Sequence, residues 1–333
     1  MSLSEMMGAG DDVPTPRRRR RRLAACLPFV VLLVAAVVVV AVLIGKGRNL
    51  LPGPIAEGCE ADTPDGIVQL SLDQMQNAST IAAVATSRNL PERAVTISIA
   101  TAMQESRLTN LSGGDRDSIG LFQQRPSQGW GTPEQIADPV YATNKFLDRL
   151  VAIPGYAQLP LTEAAQDVQH SGFPDAYAQH EADATTLSGA LTGRVPSALN
   201  CTVDGVGTSP SGNGATTLQA ELRKDFGRAV SSSALGSVAS SDSASSSPGA
   251  APQQRLAVTV HGTAYRTERG WAVAQWSVAH AKTLHITAVE YAGKMWTSAD
   301  SGKGWVSTSS ASPGTASAQD ASDSSGGLRI TVA

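Results

Sequence analysis

Residues 91–106 read PERAVTISIATAMQES, and this stretch decides the fold. Pro91 suits a helix start because a first-turn N–H has no helical partner, and Glu92 adds a negative charge that the helix dipole favours. Apolar side chains then recur at helical spacing up to a carboxylate at the end of the run. They are Val95, Ile99, Ala102 and Met103. The pattern predicts an amphipathic helix that reaches Ser106.

Helices are also predicted on both sides of this one. Ser71 can cap a helix that extends to about Arg88. A loop rich in Gly and Asp covers 111–118, and two more helices are expected near 139–150 and 162–170. No alternating strand pattern precedes Cys201. The sequence therefore predicts a mainly α domain.

The chain has three cysteines, and two of them define the borders of this domain. Beyond Cys26, which lies in an apolar run, only Cys59 and Cys201 remain. An even pair in an exported region predicts one disulfide; two unpaired thiols are the alternative. The bond would close a loop of about 140 residues, for which the chain-entropy model gives roughly 5 kcal/mol. The expected domain covers 59–201.

The N-terminal region predicts a membrane anchor. Residues 23–44 carry no charge and are mostly Val, Leu and Ala. As a helix they would extend about 33 Å, enough for a hydrocarbon core of about 30 Å. Six arginines at 17–22 precede the run, so the 1–22 tail is expected in the cytoplasm and the rest on the cell-wall side. This predicts a single-pass signal anchor in the cell membrane; a cleaved signal peptide is the alternative.

Charge and composition limit the classes of function. The net charge is −3, which argues against a dedicated nucleic-acid binder. Residues 1–48 carry +5, so the remainder carries −8, and the two parts are expected in different surroundings. The histidines of the C-terminal region lack metal-ligand spacing. No metal and no cofactor are expected.

After Cys201 the composition changes. Residues 202–255 are rich in Ser, Gly and Ala, which predicts a linker with one short helix over about 218–230. Residues 256–333 predict a small α+β module with strands at 256–260, 286–291 and 328–332. Four tryptophans there are expected to form a core rather than a glycan-binding face. They are Trp271, Trp276, Trp296 and Trp305.

The chemistry is expected at Glu105. A carboxyl group at the C-terminal end of an apolar helix lies in the negative field of the helix dipole. That field favours the protonated form, which can donate a proton to a leaving-group oxygen. By itself, however, this position predicts an ordinary exposed glutamate.

Several motifs follow Glu105-Ser106 in order. They are SIGLFQ at 118–123, ADP at 137–139, Asn144, FL at 146–147 and SG at 171–172. Together they resemble the lysozyme-like domain of lytic transglycosylases and goose-type lysozymes over about residues 70–190. The run GLFQQRPSQGWGT at 120–132 is similar to the version found in actinobacterial cell-wall proteins.

The resemblance implies cleavage of peptidoglycan glycan strands, with Glu105 as the acid and base. In a transglycosylase the 6-hydroxyl of the same sugar then closes onto the anomeric carbon. A hydrolase needs a second carboxylate, which Asp115 or Asp117 could supply, so hydrolysis stays open. The substrate would contact a further set of residues near Glu105. They are Ser106, Gly120, Leu121, Phe122, Gln123, Trp130, Gln169 and His170.

Four positions of that set are open to a second interpretation. Phe122 stands where the family has Met. Gln169 and His170 stand where the family has the Tyr and Asn that contact the substrate or the acid. Trp130, between two glycines, is either a sugar-stacking platform or a core residue.

The predicted architecture is therefore a mainly α lysozyme-like domain after one transmembrane helix, then low-complexity linkers and a small α+β C-terminal module. The 45–58 segment would be a juxtamembrane linker. We expect a membrane-anchored peptidoglycan lytic enzyme. The alternative is a non-catalytic peptidoglycan-binding or scaffold protein with a degenerate cleft; other protein partners are unknown.

Overall fold

Two antiparallel sheets and a group of helices make up the described structure. The computed structural model describes residues 57–209, 212–238, 253–262, 266–308 and 327–333. These ranges all lie in a compact unit that begins at Ile55.

The first sheet joins the two ends of the helical region. Its strands are β1 (Gly58–Thr63), β2 (Gly66–Leu70) and β3 (Leu199–Thr202), in the order β2-β1-β3. Cys59 on β1 lies opposite Cys201 on β3, and their sulfur atoms form a disulfide. The predicted disulfide is confirmed.

Between β2 and β3 the chain is helical. The helices are α1 (Leu72–Ser87), α2 (Glu92–Ser106), α3 (Pro133–Ile136), α4 (Pro139–Val151), α5 (Leu161–Gln169) and α6 (Glu181–Leu191). Short 3₁₀ helices cover Pro126–Gln128 and Pro174–His180. Ser71 caps α1 as predicted, because its hydroxyl accepts the N–H of Gln74. Helix α2 is central, and most of its side chains up to Ala102 are buried.

The C-terminal region contains two helices and the second sheet. Its elements are α7 (Gly214–Phe226), β4 (Val230–Val238), β5 (Gln253–Val260), α8 (Arg266–Ala279), β6 (Ile286–Tyr291), β7 (Lys294–Thr297), β8 (Val306–Ser307) and β9 (Leu328–Val332). The strand order is β4-β5-β9-β6-β7-β8. The last strand therefore lies inside the sheet, between β5 and β6.

The two regions share one core. Gln275 of α8 is fully buried; its amide donates to the Ala190 carbonyl (2.6 Å) and accepts the Leu199 N–H (2.7 Å). Trp276 donates to the buried Asp225 carboxylate (2.8 Å), which also accepts the Thr80 hydroxyl (3.0 Å). Polar groups across this contact are thus paired with each other, as burial requires.

The predicted fold class needs correction on the membrane helix. No helix in the described ranges is long and apolar enough to cross a bilayer. This finding overturns the expected transmembrane architecture, and with it the signal-anchor interpretation and the single-pass placement in the cell membrane. Residues 23–44, on which that expectation rested, lie outside the described residues.

The predicted fold class also needs correction on its β content. The three strands of the first sheet were not expected, and the second sheet has six strands. The serine-rich range 202–255 contains the expected short helix, α7, and also strand β4, which was not expected. Strand β4 forms at the sheet edge because its ladder with β5 uses backbone groups, which do not depend on apolar side chains.

Candidate functional site

Glu105 lies in the last turn of α2 with its carboxyl group half-buried. Its Oε1 atom accepts a hydrogen bond of 2.7 Å from the hydroxyl of Tyr177. Tyr177 belongs to the 3₁₀ helix Pro174–His180, 72 positions further along the chain. The helix end and the 3₁₀ helix thus meet at an acid and a phenol.

The two residues next to Glu105 bond the end of α2 to the same 3₁₀ helix and to a second segment. The Gln104 side-chain oxygen lies 2.9 Å from Gln179 Nε2 and 3.1 Å from His180 Nε2. On the other side, the Ser106 hydroxyl donates to the carbonyl of Leu121 (2.7 Å). Successive helical side chains point in different directions, so these bonds hold Glu105 between two loops.

The turn after α2 is strained, and α1 stabilises it. Arg107 (φ 54°) and Leu108 (φ 59°) are both in the left-handed region, which is costly for residues other than glycine. Their carbonyls accept the side-chain amides of Gln74 and Asn77, each at 2.8 Å. The turn ends the helix immediately after Ser106, which leaves Glu105 at the helix terminus.

The surroundings of Tyr177 keep its hydroxyl protonated, so that it can donate a hydrogen bond. It is fully buried. Burial raises the pKa of its hydroxyl well above the usual range, and the neighbouring Glu105 carboxylate raises that pKa further. The hydroxyl therefore stays protonated, and its proton points at Glu105.

Residues 119–124 form a tight turn beside the helix end. Gly120 has φ 79°, and a Cβ atom there would lie 2.8 Å from the Ile136 carbonyl oxygen, so only glycine fits. Phe122 is buried and stacks on Phe146 with ring centroids 4.7 Å apart. The Gln169 amide donates to the Phe122 carbonyl (2.8 Å). These contacts hold the turn in a fixed position beside the helix end.

Gln123 has a strained backbone and a side chain directed toward its own loop. Its φ is 47°, and its amide donates to the Gly120 carbonyl (3.1 Å). The side-chain oxygen lies so close to Gly114 that any Cβ there would overlap it. Leu121 is fully buried, and Ser106 is bonded to its carbonyl, so neither offers a polar atom to a ligand.

The two aspartates proposed as a second carboxylate differ in their surroundings. Asp117 accepts Arg125 Nε (2.8 Å), the Ser127 N–H (2.8 Å) and the Ser127 hydroxyl (3.0 Å). The hydrogen bond from Arg125, followed by those from Ser127, lowers the pKa of Asp117 well below its usual range. Asp115 is largely exposed, and its nearest ion-pair partner is the adjacent Arg116 at 3.9 Å. Both fit the role of loop residues.

Trp130 and His170, both expected to contact the substrate, differ in their exposure to solvent. Trp130 is only 7% exposed, and the Arg149 guanidinium covers its ring at 3.4 Å from the centroid. His170 is exposed and ends α5 with a left-handed backbone (φ 51°). The structure thus assigns Trp130 to packing.

Tyr177 is the residue that sequence reasoning missed. The motif comparison pointed to positions 169 and 170 for the tyrosine and its neighbour, where this chain has Gln and His. A tyrosine occurs eight positions after Gln169, and the chain brings it back to Glu105. No other feature of the sequence indicates the contact between Tyr177 and Glu105, because that contact depends on the path of the chain through residues 170–177.

Other possible sites lie apart from Glu105. A cavity of about 640 Å³ is lined by Thr86, Asn89 and Arg269 among others, and one of about 280 Å³ by Glu60 and Lys303 among others. Neither includes a residue of the last turn of α2. Within the described ranges, no group of three or more His, Cys, Asp or Glu side chains could hold a metal ion.

Comparison with known proteins bears on the C-terminal region. A family model described as VldE, C-terminal domain, matches residues 213–319. Residues 213–319 are thus similar to that domain. The VldE-like region runs from α7 through β8 and contains neither Glu105 nor Tyr177. No curated protein matches the chain.

Proposed function

We propose that this protein cleaves the glycan strand of peptidoglycan, with Glu105 as the general acid and base. The observation that carries the proposal is the hydrogen bond from Tyr177 to Glu105 Oε1 at the end of α2. The order of the motifs that follow Glu105, with their resemblance to lytic transglycosylases, supplies the substrate class.

The hydrogen bond from Tyr177 occupies one carboxyl oxygen of Glu105 and leaves the other for the substrate. While the Tyr177 hydroxyl donates to Oε1, the Oε2 atom of a neutral Glu105 can carry the proton. That proton passes to the bridging oxygen as the bond from the anomeric carbon breaks, and the bonding electron pair stays on the oxygen. The deprotonated Glu105 is then ready to act as a base.

The same carboxylate completes the reaction in the transglycosylase route. The 6-hydroxyl oxygen of the cleaved sugar attacks the anomeric carbon, and its proton returns to Glu105. The product is a 1,6-anhydro end, and no second carboxylate takes part. The hydrogen-bonded Asp117 and the exposed Asp115 support this route over hydrolysis, which needs a placed water.

A non-catalytic glycan binder is the second candidate function, and one observation favours it. Gln169 and His170 replace the Tyr and Asn expected from the resemblance. Gln169 is bonded to the Phe122 carbonyl, and His170 is exposed. If those two side chains were essential for turnover, only binding would remain.

The test compares the full-length chain with its Glu105→Gln variant on purified peptidoglycan sacculi. Mass spectrometry should find anhydro-muropeptides released by the unaltered chain. Their rate of release should fall at least about 100-fold in the variant, because general acid catalysis contributes that much or more. Asp115→Asn is the matched control, since it also removes one carboxyl group, here from the loop after α2, and it should release the same products at the same rate.

Two outcomes would contradict the proposal. Reducing ends in place of anhydro ends, lost in Asp115→Asn, would indicate a hydrolase with a second carboxylate. Binding to sacculi with no release that depends on Glu105 would exclude the enzyme and leave the glycan binder.

A further inference from the structure

Phe173 is a solvent-exposed aromatic side chain that comes four positions before Tyr177 of the candidate site. It is 77% exposed, the highest value among the large hydrophobic side chains that the structure describes as exposed. Burial of a phenylalanine side chain stabilises a fold, so the exposed position of Phe173 adds no folding stability. The exposed side chain is available for contact with a ligand.

The position of Phe173 is well defined by its backbone. Its N–H donates to the Ser171 hydroxyl (3.1 Å), and its carbonyl accepts the N–H of Ala176 (3.2 Å). The next residue, Pro174, accepts a hydrogen bond from the Thr162 hydroxyl and starts the 3₁₀ helix. An aromatic ring on such an anchored turn is preorganised, which lowers the entropy cost of binding.

This turn leads directly to the acid. Tyr177, which donates to Glu105, is four residues after Phe173, in the 3₁₀ helix that begins directly after Phe173. A 3₁₀ helix rises about 2 Å per residue, so the backbone of Phe173 is on the order of 8 Å from that of Tyr177. The exposed Phe173 thus comes four positions before the residue that bonds the acid.

The two other aromatic side chains among the expected substrate contacts are not accessible. Arg149 covers the Trp130 ring, and Phe122 is buried against Phe146. Sugar rings expose apolar C–H faces that pack on flat aromatic rings. Phe173 has the exposure that Trp130 lacks.

We propose that Phe173 is the aromatic platform on which a sugar ring of the glycan strand packs, in the subsite next to Glu105. This assignment rests on the proposed function, because it takes the glycan strand as the ligand. It adds a substrate-positioning residue that the motif pattern does not contain.

The experiment measures binding of purified, peptide-free glycan strands to the full-length Glu105→Gln variant, which should bind without cleaving. Adding Phe173→Ala should weaken this binding about tenfold. Phe173→Trp in the same Glu105→Gln background should bind as tightly as Glu105→Gln alone, because an aromatic ring is kept. The matched control adds Ile67→Ala, which removes another exposed apolar side chain (63% exposed) from β2 and should leave binding unchanged. Melting temperatures of the variants should agree within about 2 °C, since both side chains are exposed.

The outcomes separate this inference from the proposed function. If the Glu105→Gln chain binds glycan strands and Phe173→Ala binds them equally well, the platform assignment is wrong and the proposed function stands. If neither chain binds and the unaltered chain releases no fragments from sacculi, both proposals are wrong. Equal weakening by Phe173→Ala and Ile67→Ala would also overturn the assignment, because it would show a nonspecific effect.

Discussion

At the scale of single residues, the hydroxyl of Tyr177 is the group that distinguishes this site from an ordinary helix end. Replacing Tyr177 by Phe removes the 2.7 Å hydrogen bond to Glu105 and keeps the buried ring. Hydrogen bonds to an ionisable group are worth about 1.5–3 kcal/mol, so we expect kcat to fall about 10- to 100-fold with little change in KM. Release of anhydro-muropeptides over time measures this effect.

A second tyrosine provides the control for that substitution. The Tyr141 hydroxyl donates to the Trp130 carbonyl (3.2 Å), so Tyr141→Phe also removes one hydroxyl hydrogen bond. It should leave kcat unchanged. Equal activity of Tyr177→Phe and the unaltered chain would show that Tyr177 only fills space.

At the scale of elements, the end of α2 depends on α1. Asn77 on α1 donates to the Leu108 carbonyl (2.8 Å) in the left-handed turn that follows Glu105. Asn77→Asp keeps the size of the side chain but loses the donor and places a charge near that carbonyl. We expect the free energy of unfolding in urea to fall by about 2 kcal/mol, and activity to fall as the turn relaxes.

The matched change on the exposed side of the same turn is Gln74→Glu. Gln74 donates to the Arg107 carbonyl (2.8 Å) but is more exposed, so water can replace the lost donor. Gln74→Glu should lower the free energy of unfolding by less than half as much as Asn77→Asp does. Equal stability of Asn77→Asp and the unaltered chain would show that α1 does not hold the turn.

At the scale of the whole molecule, the contact between α7, α8 and α1 contains two buried titratable groups on either side of Trp276. Burial raises the pKa of Asp225 to about 6, and hydrogen bonds from Trp276 and Thr80 oppose the rise. Burial lowers the pKa of His280 to about 4, while the Trp276 carbonyl opposes that change. The two pKa values are therefore shifted in opposite directions, and each shift spans nearly the same pH range, from about 4 to about 6.

Their effects on stability should nearly cancel in the unaltered chain. Asp225 has a raised pKa, so its contribution is full below about pH 4 and is lost as the pH rises to about 6. His280 has a lowered pKa, so its contribution is full above about pH 6.5 and is lost as the pH falls to about 4. In Asp225→Asn, stability should rise by about 3 kcal/mol from pH 4 to 6.5, because only the histidine term remains.

Urea unfolding at several pH values measures this slope. The complementary variant, His280→Gln, should lose stability over the same range, because only the aspartate term remains. A flat profile in both variants would show that neither group has a displaced pKa in the folded state.

The amino-acid sequence by itself determined the local features. The Ser71 cap, the apolar spacing of 92–106 and the amphipathic pattern around Leu218 each predict a helix that the structure contains, although α7 begins four residues earlier than expected. Such features depend on residues three or four positions apart, so a short stretch is sufficient to specify them. The Cys59–Cys201 disulfide was also predictable, because these are the only two cysteines that follow Cys26 in the sequence.

Only the tertiary structure decided the contacts between distant segments. Strands β1 and β3 pair across 142 positions, and Tyr177 reaches Glu105 across 72, so no local pattern indicates either contact. The same holds for Trp130, which its own surroundings in the sequence left open and which Arg149 covers in the fold. Side-chain partners of this kind are chosen by the packing of whole elements, and the chemistry at Glu105 depends on that packing.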